Sequence, residues 1–169
     1  NMFGLSGKKA LVTGASGGIG AAIAKALRSQ GAEVALTGRN VEALEKIAAA
    51  LGGGCHVVPG DLGSPEAAES VIKEAEEKMG QIDILVNNAG LTKDGLFMRM
   101  KDEDWQAVQD VNLTAPFRLT RSAIRGMMKR RWGRVINITS VVGVTGNPGQ
   151  ANYCASKAGL IGMTKSMAA

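Results

Sequence analysis

"TGASGGIG", residues 13 to 20, is the stretch on which the reading of this sequence turns. It closes the apolar run "KALVTG" and leads straight into "GIGAAIAKALRSQG", so Gly14, Gly18 and Gly20 sit where a strand hands the chain to a helix. A tight turn at that point needs close backbone approach, which glycine permits. The helix that starts there offers unpaired N–H groups and the positive end of its dipole, a cradle suited to a pyrophosphate. The spacing is G-x-x-x-G-x-G rather than G-x-G-x-x-G, and glycines alone argue weakly. Their place between strand and helix is what points to a dinucleotide, with Ser16, Gly17 and Ile19 completing the loop.

Working outward, β-rich runs alternate with longer helical stretches, the pattern of parallel β-α-β units. "EVALTG" is a second strand and "NVEALEKIAAALGGG" a second helix. "CHVVPGD" is a third strand, after which Ser64 and Pro65 open a helix that runs through "EAAESVIKEAEEKMG". "IDILVNNAG" is a fourth strand whose continuous apolar core suits burial on both faces of a sheet. "DEDWQAVQDVNLTAPFRLTRSAIRGMMKRR" reads as one long helix in which Pro116 bends the axis or removes a backbone bond. "GRVINITS" is a fifth strand and "NYCASKAGLIGMTKSMAA" the last helix. Right-handed crossovers then lead to an α/β fold, a Rossmann-type doubly wound parallel sheet in the order 3-2-1-4-5, with its ligand at the carboxyl ends of strands 1 and 4. The expected organisation is a single domain over residues 1–169 that lacks its C-terminal strands, because the last helix shows no glycine stop and nothing after it covers strand 5.

The bulk numbers agree with a globular protein. The chain has 169 residues, 45% of them hydrophobic and 21% charged, near globular averages. The 23 glycines are the unusual count. No run approaches the roughly 20 apolar residues of a membrane span and no leader is evident, so a cytoplasmic protein is expected. Cys55, Cys154 and the single histidine, His56, have neither disulfide nor metal-site spacing and read as structural. The net charge of +5 comes from scattered Lys and Arg, with "KRRWGR", residues 129 to 134, the one cluster. At 4% aromatic content, with no basic face interleaved with rings, a nucleic-acid binder is disfavoured.

The end of the second strand selects the dinucleotide. An NAD site usually places Asp or Glu there; this chain has Thr37, Gly38 and Arg39. Arg39 suits a 2′-phosphate, so NADP(H) is expected. Asp61 and Leu62 are placed to flank the adenine, and Asn88, Ala89 and Gly90 end strand 4 beside the cleft. Tyr153 and Lys157, four residues apart, share one helix face. A phenol is ordinarily too weak an acid for easy proton exchange near neutrality, and an adjacent ammonium stabilises its phenolate. Ser140 ends strand 5, where its hydroxyl can bind the carbonyl oxygen that such a tyrosine protonates, and Asn112 lies in the preceding long helix. Tyr-x-x-x-Lys alone is common; the four residues in this chain order are not.

Through "TGASGGIG", "NNAG", "VNLT", "ITSVVG" and "YCASK", from about Lys8 onward, the chain resembles the short-chain dehydrogenase/reductases. It is most similar to the 3-oxoacyl-acyl-carrier-protein reductases of bacterial fatty acid synthesis, along "NNAGLTKDGLFMRMKDEDW", "MMKRRWGRVINI" and "GNPGQANYCASKAGLIGMTKS". The resemblance implies NADPH-dependent reduction of a 3-oxoacyl thioester to the (3R)-hydroxyacyl product by a homotetramer. It implies a tetrad in which Tyr153 is the acid/base and Ser140 polarises the carbonyl. Lys157 assists the tyrosine and holds the nicotinamide ribose, and Asn112 anchors a water in a proton relay. It also implies that Arg130 and Arg131 dock the acidic acyl carrier protein, since a cationic patch steers such a partner. Two departures stand out: Gly17 occupies a loop position where many NADPH-dependent members carry a basic residue, and the family continues past residue 169 with two strands, a nicotinamide-contacting loop and a lid.

Two rivals remain. A reductase of acetoacetyl-coenzyme A or another small ketone shares every motif, and a comparison of carrier-protein and coenzyme A thioesters separates it. A non-catalytic dinucleotide-binding protein needs no Tyr153–Lys157 pair, and a turnover assay separates that.

Overall fold

The computed structural model of the chain describes residues 3–169. Five parallel strands form one sheet: β1 (Lys9–Thr13), β2 (Glu33–Thr37), β3 (Cys55–Val57), β4 (Ile84–Asn87) and β5 (Arg134–Asn137), in the order β3-β2-β1-β4-β5. Consecutive residues of a strand face opposite sides, and here both sides are covered. Ala10, Val12, Val34, Leu36, Ile84 and Val86 belong to the core on the side of α1 (Gly18–Ser29) and α2 (Val41–Ala50). Leu11, Ala35 and Leu85 belong to the opposite core with α3 (Ala67–Met79) and α5 (Ala115–Arg130). That double burial is why the strands read as unbroken apolar runs rather than as alternating ones. The remaining helices are α4 (Asp102–Gln109), the single-turn α6 (Val142–Thr145) and α7 (Ala151–Ala168).

The sheet order is the expected one, and Gly31, with φ of 95°, ends α1 as anticipated. The strands are shorter than their apolar runs, because residues 88–90 and 138–140 turn into the site instead of continuing the ladder. Ser64 and Pro65 lie in a turn before α3; the Ser64 hydroxyl donates to the Glu66 carboxylate at 2.9 Å and not to a helix end. The long helix around Pro116 is α4, a π-helical segment (Asp110–Thr114) and α5. Pro116 falls in the first turn of α5, where its missing N–H is tolerated, and the Ala115 N–H bonds the Asp110 carbonyl five residues back. A 3₁₀ turn (Phe97–Arg99) and α6 were not evident in the sequence. β5 is an edge strand whose Ile136 remains 46% exposed. No helix among the described residues is long and apolar enough to cross a membrane.

Candidate active site

The glycine loop is wedged under the end of β4. Gly14 has φ of 59°, and a Cβ there would lie 2.9 Å from the Ala89 Cα and from the Asn88 carbonyl oxygen. A Cβ at Gly20 would collide with the Gly14 carbonyl, so only glycine lets α1 start this close to β1. The first helical bond runs from the Ala21 N–H to the Gly17 carbonyl, which leaves the N–H groups of Gly18, Ile19 and Gly20 without an acceptor in the helix. No acid occupies that first turn, and a Cβ at Gly18 or Gly90 would meet nothing within 4 Å. Free donors, a dipole end and open space fit the pyrophosphate of a dinucleotide.

Thr13 holds the facing wall. Its buried hydroxyl accepts from the Asn88 and Ala89 N–H groups, each at 3.0 Å, and donates to the Val86 carbonyl at 3.3 Å. The Asn88 side-chain amide donates to the Gly14 carbonyl at 3.2 Å. Between these loops lies a cleft of about 170 Å³. Gly14, Ser16, Arg39, Asp61, Leu62, Ala89 and Gly90 line it, as the sequence led one to expect, and Gly17, Gly18 and Ile19 are exposed at its loop. Gly38, Gly60, Leu91 and Val111 also line it. At Gly60 a Cβ would lie 2.6 Å from a Val71 methyl, so a larger residue there would have to displace Val71. Arg39 is exposed and pairs with no carboxylate among the described residues, whereas the Asp61 carboxylate accepts the Gly63 N–H at 3.0 Å.

Asn112, Ser140, Tyr153 and Lys157 lie where α7 and the π segment meet the stretches that follow β4 and β5. Lys157 is only 4% exposed; its ammonium donates to the Ile138 carbonyl at 3.1 Å and lies 5.6 Å from the centre of the Tyr153 ring. Burial pushes its pKa below the ordinary lysine value. The Thr139 hydroxyl donates to the Lys157 carbonyl at 3.0 Å, so the end of β5 holds both the head and the backbone of this lysine. The Ser140 hydroxyl oxygen accepts the Val142 N–H at 3.3 Å, at the start of α6. Asn112, fully buried in the π segment, grips the backbone of Leu91: its Oδ1 accepts the N–H at 2.8 Å and its Nδ2 donates to the carbonyl at 3.0 Å. The same amide donates to the Ser156 hydroxyl at 3.2 Å.

Three positioning residues escaped the sequence reading: Thr13, Ser156 and Asn152. The Asn152 amide donates to the Lys93 carbonyl at 2.9 Å, and its own carbonyl accepts from Gln109 at 2.9 Å, joining α7, α4 and the segment after β4. Only their proximity to motif residues marks them, because their partners lie far away in the chain. The basic cluster lies elsewhere. Arg130 donates to the Ile82 carbonyl at 2.7 Å and sits 3.8 Å from the buried Asp83 carboxylate, so its guanidinium holds α5 to the base of β4 rather than standing free for a partner. Arg131, with φ of 57°, is exposed at the end of α5. Within one chain, both lie at the amino edge of the sheet, opposite Tyr153.

The parallel sheet, the glycine loop and the cleft at the switch point between β1 and β4 define a dinucleotide-binding protein. A profile of the family described as short chain dehydrogenase matches residues 8–169. Nodulation protein G of Rhizobium sp. (strain N33) is 61% identical over 167 residues, 99% of this chain and 68% of that protein. The 3-oxoacyl-[acyl-carrier-protein] reductase FabG of Vibrio cholerae serotype O1 is 52% identical over 164 residues, 97% of this chain and 67% of that protein. A crystal structure from Sinorhizobium meliloti 1021, classed as a short-chain alcohol dehydrogenase, superposes with a TM-score of 0.94 at 38% identity, covering 99% of this chain and 68% of that one. The chain belongs to the short-chain dehydrogenase family. It is an oxidoreductase acting on CH–OH groups with a nicotinamide dinucleotide.

Proposed function

We propose that the protein reduces a 3-oxoacyl thioester on acyl carrier protein to the (3R)-3-hydroxyacyl product with NADPH, as a cytoplasmic homotetramer in fatty acid biosynthesis. The observation that carries this reading is the buried Lys157 ammonium beside the Tyr153 ring, with no carboxylate partner among the described residues. A bound nicotinamide supplies hydride. The Tyr153 hydroxyl gives its proton to the carbonyl oxygen, and the Ser140 hydroxyl donates a hydrogen bond to that same oxygen. Lys157, fixed by Ile138, stabilises the tyrosine's anionic form after the proton has left. Asn112, in the π segment, anchors a water in the proton relay, a role that rests on the family resemblance. Gly14, Ser16, Gly17, Gly18, Ile19 and Gly20 hold the pyrophosphate, Arg39 the 2′-phosphate, and Asp61 and Leu62 the adenine. Names of relatives such as the Vibrio cholerae reductase support the carrier-protein thioester. Exposed Trp105 and Phe117 on α4 and α5 support an assembly.

A second reading keeps the reaction and changes its setting. Two proteins named for nodulation, at 61% and 56% identity, favour a reductase whose product enters a process other than bulk fatty acid synthesis.

The test is a spectrophotometric assay of NADPH oxidation with acetoacetyl thioesters of carrier protein and of coenzyme A. Tyr153→Phe is expected to lose at least about 100-fold in turnover, the lower end of positioned acid catalysis, while binding NADPH as the parent does. Near-parental turnover in that variant removes Tyr153 as the acid. A preference for the coenzyme A substrate removes the carrier protein.

A further inference from the structure

Three consecutive residues at the end of β5 take hold of α7. The Ile138 carbonyl accepts the Lys157 ammonium, and the Thr139 hydroxyl donates to the Lys157 carbonyl. Asn137 reaches a second point, where its Nδ2 donates to the Thr164 hydroxyl at 2.8 Å. Thr164 lies seven residues after Lys157, two turns and about 10 Å further along the axis on nearly the same face. The strand therefore holds the helix at two heights. Apolar packing, which has no direction, does less to place it: Leu160 is the only apolar side chain of α7 that is buried, and the start of the helix has no side-chain cap.

Neither side chain in the second contact is free to turn. The Thr164 hydroxyl spends its proton on the Leu160 carbonyl at 2.7 Å, so toward Asn137 it can only accept. The Asn137 Oδ1 accepts from Asn87 Nδ2 at 2.8 Å, which leaves its own Nδ2 to face α7. Asn87 is the register partner of Asn137 on β4 and is buried, and the same Nδ2 donates to the buried Thr120 hydroxyl of α5 at 3.2 Å. A line of hydrogen bonds thus runs from α5 through β4 and β5 to the body of α7. We infer that Asn137 and Thr164 are positioning residues for the reaction. They fix the height and rotation of α7 against β5, so that the Lys157 ammonium meets the Ile138 carbonyl and stays beside the Tyr153 ring. Their action passes through that pair and not through contact with a reacting group. The inference rests on the acid/base reading of Tyr153 and Lys157 above and adds what holds the two in place.

Three variants and one resonance test it. Thr164→Val keeps the shape at an exposed position and removes the acceptor, Thr164→Ser keeps the hydroxyl, and Asn137→Ala removes the donor. Turnover is measured with NADPH and the acetoacetyl thioester of carrier protein. In Thr164→Val, kcat is expected to fall at least about tenfold, a part of the roughly 100-fold that about 1 Å of misplacement costs, while KM for NADPH stays at the parent's value. Thr164→Ser is expected to keep the parent's kcat. Combining Thr164→Val with Asn137→Ala is expected to lose less than the product of the two single losses, because both remove the same hydrogen bond. Tyr153 is the chain's single tyrosine, so protein labelled with heavy carbon at the tyrosine Cζ gives one NMR resonance that follows the pair without turnover. That resonance is expected to move in Thr164→Val and to hold its parental position in Thr164→Ser. A Thr164→Val enzyme with the parent's kcat, whatever its Tm, overturns the inference. So does a lowered kcat with an unmoved resonance, or a loss that serine fails to restore. A parent without turnover overturns the reductase reading instead, and the resonance then decides the positioning by itself.

Discussion

Lys157 shows at the scale of one residue how the role proposed for it opposes stability. Its ammonium is buried against one carbonyl, with no carboxylate partner among the described residues, so desolvation is only partly offset. The folded protein binds this proton less readily than the unfolded chain does. Stability therefore rises with pH between the lowered value and the ordinary lysine value of about 10.4. Lys157→Met is expected to melt at or above the parent's Tm at pH 7 and to lose the parent's gain on that alkaline rise, while turnover collapses; scanning calorimetry against pH checks this. A Tm several degrees below the parent's would mean that the Ile138 contact outweighs the desolvation. Arg39 makes the converse case: exposed and unpaired with acid, it contributes little to the fold. Arg39→Asp should lower the NADPH-to-NADH ratio of kcat/KM at least about tenfold, the equivalent of about 1.4 kcal/mol. Equal use of both cofactors before and after the change would remove Arg39 from the 2′-phosphate.

Between elements, the decisive junction is the one between β1 and β4, which the Thr13 hydroxyl makes with three backbone partners. Thr13→Val keeps the shape and leaves two N–H groups without their acceptor, at a cost of about 2 kcal/mol. Urea unfolding should show that loss at an unchanged m-value, together with weaker dinucleotide binding; a variant as stable as the parent would show that water replaces the hydroxyl. This junction also explains what the sequence could and could not disclose. The sheet order was legible because strands and helices alternate at lengths that leave one simple right-handed winding. The tetrad now proposed could be picked out as a resemblance because Asn112, Ser140, Tyr153 and Lys157 stand in a known chain order. Thr13 was not, since its partners lie 73 to 76 residues away and only the folded sheet brings them together. The end of strand 4 was overrun because Asn88 and Ala89 follow its apolar run without a break, yet their N–H groups turn to that hydroxyl instead of the ladder. The single-turn α6 carries no side-chain cap to announce it.

Across the whole molecule, the two edges of the sheet are built differently. The carboxyl edge is kept open by glycines. The amino edge is tied by polar links: Lys9 to Glu33 at 3.1 Å, His56 to Glu33 at 3.3 Å, and the Asp83 carboxylate to the Lys9 N–H at 2.9 Å. Partial burial alone would raise the Glu33 carboxyl, but the hydrogen bonds and charges of Lys9 and His56 outweigh it and hold the pKa below the usual range. A depressed carboxyl contributes stability that is present above its unfolded value, near 4.3, and is lost as pH falls through the folded one. Glu33→Gln should therefore destabilise by less than about 1 kcal/mol at pH 7, with the difference from the parent shrinking below about pH 4. A difference that stayed constant down to pH 3 would show that packing, not charge, is what the glutamate supplies.

The π segment that carries Asn112 has a consequence best put in terms of helical phase. The inward positions Val108, Asn112, Pro116, Leu119, Ala123 and Met127 complete five turns in 19 residues, where a regular helix would use about 18. One surplus residue keeps α4 and α5 facing the same way. Without it, the side that grips Leu91 and the side that packs under β4 would be about 100° out of step. The irregularity at the site is thus what lets one helix serve both the catalytic edge and the core.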